Sequence, residues 1–81
     1  MRLDKYLKVS RIIKRRTVAN EVCDAARVVV NGRPVKASYT VSPGDIIELS
    51  MGSRTVKARV LLVDEKAGKD TAREMYEMIE E

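Results

Sequence analysis

The chain has 81 residues, 44% hydrophobic and 35% charged, which is enough apolar content for one folded domain and too much for a disordered tail. It holds no His, Trp or Phe and a single cysteine, Cys23, which excludes a disulfide framework, a Cys/His zinc site within one chain and a His-based triad or general base. Lys and Arg number 16 against 12 Asp and Glu, but residues 1–44 carry a net +7 and residues 45–81 a net −3, with seven cations in the first sixteen residues, so one surface built for a polyanion is expected.

Leu3, Tyr6 and Leu7 recur at i, i+3, i+4 and predict a short helix over 2–9, with Asp4 in its first turn and Arg2, Lys5 and Lys8 on the other side. The basic run continues through Arg11, Lys14, Arg15 and Arg16. Thr17 then has the character of an N-cap, and Ala19, Val22, Cys23 and Ala26 predict a second helix over 17–25. Cys23 falls on its apolar stripe and reads as a small core residue rather than a reactive thiol. Arg27 can complement the helix dipole or face a ligand.

Val28-Val29-Val30, Asn31-Gly32 and Arg33-Pro34-Val35-Lys36 read as strand, tight turn, strand, because a two-residue hairpin turn wants positive φ at both central residues. Pro34 lacks an N–H donor, which places its strand at a sheet edge. Pro43-Gly44-Asp45 predicts a turn into a strand over 46–51, and Gly52-Ser53 another into a strand over 55–63, where Val56, Ala58 and Val60 alternate with Lys57 and Arg59. Gly68 breaks the chain, Asp70 or Thr71 can cap, and Ala72, Met75, Tyr76 and Ile79 predict a last helix over about 70–80, with Glu74, Glu77, Glu80 and Glu81 outward and fraying after Met78. The order α-α-β-β-β-β-α is an α+β domain over 1–81, with its core in 1–63. The apolar runs 60–63 and 28–30 are too short to span a membrane, and residues 1–5 do not lead into a signal-peptide core, so a cytoplasmic protein with no membrane partner is expected.

The cations are suited to phosphates. Arg11, Arg15 and Arg16 can fork onto phosphate oxygens or stack on bases, whereas Lys5, Lys8 and Lys14 act as point charges. The start of the second helix at Thr17 adds a dipole end that favours an anion. Six such contacts would give a logarithmic salt slope of about −4 to −5. No long helix is available for a DNA major groove, and the only aromatics are Tyr6, Tyr39 and Tyr76, too few for a stacking platform. Tyr6 and Tyr76 sit on core stripes, and Tyr39, in a loop, fits either role. Recognition of RNA shape and backbone is therefore expected. No nucleophile–base pair, metal cluster or Gly-rich phosphate loop points to catalysis, and no cofactor or metal is expected.

Arg2-Leu3-Asp4-Lys5, the Arg16-Thr17 helix start, Arg27-Val28-Val29-Val30-Asn31-Gly32 and Pro43-Gly44-Asp45, in this order, resemble the S4 RNA-binding domain over residues 1–50 or so. That resemblance implies two N-terminal helices packed on a small antiparallel sheet, forming an L-shaped RNA-binding surface. The opening seventeen residues are similar to the free-standing ribosome-associated quality-control P-site factors of this family. That similarity implies binding to a large ribosomal subunit blocked by peptidyl-tRNA, with contacts to 23S ribosomal RNA and P-site tRNA. It further implies support of C-terminal alanine tailing with an RqcH-type partner, by a protein expected to be a monomer. Carried onto this chain, the RNA contacts are Arg2, Lys5, Lys8, Arg11, Lys14, Arg15, Arg16 and Thr17, with Asn31, Gly32 and Arg33 at the hairpin tip. Two positions depart from the pattern: Ala26 stands where the family usually has Gly in a left-handed conformation, and Asn20 stands where it often has a basic residue. Two alternatives stay open. One is the heat-shock S4 protein, whose longer basic extension contrasts with Glu77-Met78-Ile79-Glu80-Glu81; the other is a protein-interaction module using the acidic last helix.

Overall fold

In a computed structural model of the chain, residues 1–25, 27–51, 53–66 and 68–79 are described, with Arg16 and Met51 described by backbone alone. Ala26, where a left-handed residue is expected, lies outside the described residues, as do Gly52 of the expected Gly52-Ser53 turn and the outward acids Glu80 and Glu81.

Helix α1 spans Leu3–Val9 and α2 spans Arg16–Asp24. Leu3, Tyr6 and Leu7 are fully buried, as their spacing requires, and Ala19, Val22 and Cys23 meet them from α2. Strands β1 (Val28–Val30) and β2 (Arg33–Pro34) flank Asn31 and Gly32, whose φ values of 53° and 82° are the pair that a tight hairpin turn needs. Strand β2 is two residues long, shorter than the expected 33–36. Strands β3 (Ile46–Met51) and β4 (Arg54–Val60) form the longest antiparallel pairing, from Ile46 opposite Arg59 to Met51 opposite Arg54. Gly44 supplies the positive φ, 94°, of the turn before β3. Pro34 is at the sheet edge, as its missing donor demands: the order is β2-β1-β3-β4-β5, all antiparallel. Val28, Val30, Ile47, Leu49 and Val60 face the two helices and close one core with them.

The C-terminal region corrects the sequence expectation. Helix α3 covers only Lys69–Glu74, and the chain then extends as β5, Tyr76–Met78, paired with β4. Ala72 and Met75 are buried, so the apolar stripe holds for one turn. The Met75 carbonyl then accepts the Tyr6 hydroxyl at 2.7 Å and the Leu61 N–H at 2.8 Å, and the Ile79 N–H that a helix would give to it goes to Lys57 O at 2.9 Å. The open edge of β4 thus takes over the segment predicted as the second half of the helix. The Leu61 N–H bond also ends β4 at Val60 rather than 63. Neither Asp70 nor Thr71 caps α3; Gly68 holds the N-cap position.

Candidate nucleic-acid interface

Asp4, only 1% exposed, organises the start of the basic surface. One carboxylate oxygen accepts the Lys5 N–H at 2.8 Å and lies 3.2 Å from Arg2 Nε; the other accepts the Arg2 guanidinium and the Asn20 side-chain amide, each at 3.4 Å. Asn20 therefore ties α2 to α1 where a basic residue would have brought another cation. The Arg2 side chain stays 54% exposed, so the pair steers the guanidinium without removing it from solvent.

Past Val9 the chain turns sharply. Ser10 caps α1, and Arg11 takes a left-handed φ of 66°, which costs a non-glycine residue about 1 kcal/mol. The Arg11 N–H bonds Lys8 O at 3.1 Å and the Ile13 N–H bonds Leu7 O at 3.0 Å, satisfying the last helix carbonyls. Ile13 is buried beneath this turn while Arg11, Lys14 and Arg15 remain exposed. Thr17 is not the N-cap: Arg15 occupies that position, extended and without a side-chain cap, and Thr17 is an exposed residue of the first turn of α2. The positive end of α2 thus has no side-chain acceptor at its N-cap, and Arg15 stands at it.

Lys8, Arg11 and Lys14 come together along an open groove of about 450 Å³, which Val9, Glu65 and Lys66 also line. Lys5 turns toward the same acid, its Nζ lying 3.8 Å from Glu65 Oε1. Glu65 and Lys66 are not legible as site residues in the sequence because four strands separate them from α1. Their only local signal is the Asp64-Glu65-Lys66 turn, closed by a 2.9 Å bond from the Lys66 N–H to Asp64 Oδ1.

The hairpin tip is held by a second carboxylate, Asp45, 8% exposed. It accepts the Asn31 amide at 3.0 Å, the Tyr39 hydroxyl at 3.0 Å and the Ser42 N–H at 2.9 Å, while Asn31 Oδ1 accepts the Ile46 N–H at 2.9 Å. The Asn31 side-chain amide is thereby engaged by Asp45 and the Ile46 N–H, while Asn31, Gly32 and Arg33 all remain exposed at the tip. Burial first, then the bond to the Asp45 carboxylate, raises the Tyr39 pKa above the ordinary tyrosine value. The loop tyrosine left open by the sequence is thus a structural strut.

Tyr6 is buried with its hydroxyl on Met75 O, and burial raises its pKa beyond the usual range. Tyr76 is half-buried on β5. Cys23 is 2% exposed; burial, reinforced by Asp4 and Asp24, pushes its thiol up to about 11, which suits a core residue. Among the described residues, no group of three or more His, Cys, Asp or Glu could hold a metal ion, and no helix is long and apolar enough to cross a membrane.

Residues 1–47 match the S4 domain family. The whole chain is 49% identical to an RQC P-site tRNA stabilizing factor of Listeria monocytogenes, covering 88% of that protein, and 46% identical to the one of Bacillus subtilis, covering 94%. Among solved structures, the heat shock protein 15 of Vibrio cholerae, determined as a trimer, superposes with a TM-score of 0.86 at 28% identity over 98% of this chain and 81% of that one. The helix pair on an antiparallel sheet, the basic turn between the helices and the full-length likeness lead to one assignment: the chain belongs to the S4-domain family, with the RQC P-site tRNA stabilizing factors.

Proposed function

We propose that this protein is a non-catalytic RNA-binding factor of ribosome-associated quality control. It binds the large ribosomal subunit through 23S ribosomal RNA and P-site peptidyl-tRNA, and supports C-terminal alanine tailing of the stalled chain with an RqcH-type partner. It acts as a cytoplasmic monomer, with residues 1–81 working as one domain. The observation that carries this reading is the basic turn: Lys8, Arg11 and Lys14 line one groove, with Arg15 exposed at the start of α2. Such a surface meets phosphates and positions a protein on folded RNA without reading sequence. The names of the full-length relatives supply the ribosomal setting.

Arg2, Lys5, Lys8, Arg11, Lys14, Arg15, Arg16 and Thr17 are the proposed contacts, with Gly32, Arg33 and the backbone of Asn31 at the hairpin. Arg2→Ala and Arg16→Ala, at the two helix starts, should each weaken co-sedimentation with large subunits without unfolding the domain, Arg2→Ala with some fall in melting temperature because it takes a partner from the buried Asp4. Normal binding by both would reject the assignment. Crosslinking in cells followed by sequencing of the attached RNA should recover large-subunit RNA together with tRNA; recovery of messenger RNA alone would overturn it.

A further inference from the structure

Glu65 and Lys66 lie beyond the 1–47 segment that matches the S4 family, yet they line the same groove as Lys8, Arg11 and Lys14. The bond from the Lys66 N–H to Asp64 holds that turn by a local device of its own, so Lys66 reaches the groove independently of α1. Lys8, Arg11, Lys14 and Lys66 form no ion pair among the described residues, and the one carboxylate lining the groove, Glu65, is paired with Lys5, which does not line it. Four like charges along one concavity repel one another and concentrate positive potential, a situation relieved by an incoming anion. The groove is larger than one phosphate needs and open to solvent, a shape for a passing chain of phosphates rather than an enclosed small ligand.

We propose that this groove is a phosphodiester-binding subsite completed by Lys66, and that Glu65 stands in it as an internal counter-ion which arriving RNA displaces from Lys5. The proposal rests on the RNA-binding reading above and adds to it a contact from outside the S4 segment. Displacement frees Lys5 for the RNA, so Glu65 tunes affinity downward and Lys66 raises it. Both side chains are exposed, so substituting them should not disturb the core.

The test is fluorescence anisotropy of a labelled RNA stem-loop over a salt series, with thermal melting to confirm folding. Lys66→Ala should weaken binding and reduce the steepness of the logarithmic salt slope by about 0.7–0.9, the loss of one phosphate contact. Glu65→Gln should tighten binding by about 1.5- to 5-fold at low salt, the worth of an exposed ion pair. Lys69→Ala, which removes a cation outside the groove, should leave the slope unchanged. A wild-type chain that binds the stem-loop while Lys66→Ala matches it, or while Lys69→Ala has the same effect as Lys66→Ala, would overturn the subsite alone. A wild-type chain that does not bind RNA would overturn the function and the subsite together.

Discussion

Asp45→Ala is the substitution through which the hairpin can be separated from the helical surface. The carboxylate accepts three hydrogen bonds of 2.9–3.0 Å, from Asn31, Tyr39 and Ser42, in a site that is 8% exposed. Bonds to a charged acceptor contribute about 1.5–3 kcal/mol each, but Asn31 and Ser42 are exposed enough to recover water, so the net loss should be about 2–4 kcal/mol. For a chain of this length that corresponds to a fall in melting temperature of about 10–25 °C. Total stability is on the order of 4–12 kcal/mol, so a folded population should remain at low temperature. Tyr39→Phe removes one of the three bonds and should cost about 1.5 kcal/mol, the low end because Asp45 keeps its other two donors. Melting followed by far-ultraviolet circular dichroism gives both values, and amide exchange at Ser42 and Ile46 reports the loop directly. If Asp45→Ala melts no lower than Tyr39→Phe, Asp45 is not the hub that holds the hairpin to the turn before β3.

Alkaline pH tests the tyrosines: Tyr6 and Tyr39 have folded pKa values raised above the ordinary 10.0, so their stabilising share is fully present below pH 10 and is lost as pH climbs through the raised values. Tyr39→Phe should therefore flatten the alkaline loss of stability seen by thermal melting. Cys23, with its thiol raised to about 11, should resist a thiol reagent at neutral pH in the native chain and react fully in denaturant. Leu7→Ala empties part of the seam between α1, α2 and the sheet and should cost about 2–5 kcal/mol in a denaturant titration, whereas Lys8→Ala, at an exposed position, should cost little stability yet weaken RNA binding.

The elements that the sequence announced are those whose signal is local. The three-four spacing of Leu3, Tyr6 and Leu7 needs only a nearby apolar surface, and Asn31-Gly32 needs only its own backbone freedom, so both survive folding as read. Thr17 shows the limit of a residue-type rule at a boundary. A threonine is a good cap, but the helix begins one residue earlier, at Arg16, because Arg15 is extended and its carbonyl already accepts the Ala19 N–H at 3.0 Å. The last segment was illegible for a different reason. Ala72, Met75, Tyr76 and Ile79 carry a helical period, and nothing within 69–79 reveals that β4 has a free edge waiting. That edge, together with Tyr6 from the far end of the chain, determines where the backbone bonds of Met75 and Ile79 go.

The same logic separates the legible part of the site from the rest. Seven cations within sixteen residues declare a phosphate surface because charge density is readable from sequence alone. Which of them act together is a matter of the turn after α1. Arg11 is left-handed there, so the chain reverses and brings Lys14 to the groove beside Lys8 instead of carrying it onward along a helix. Glu65 and Lys66 join them only because the strands return the chain to α1, a relation of topology that no local pattern encodes. Arg2, expected as an RNA contact, and Asn20, expected as the loss of one, share a single buried anchor, Asp4. Asparagine at position 20, where the resemblance implies a basic residue, therefore gives up a phosphate contact and ties α2 to the buried carboxylate of α1.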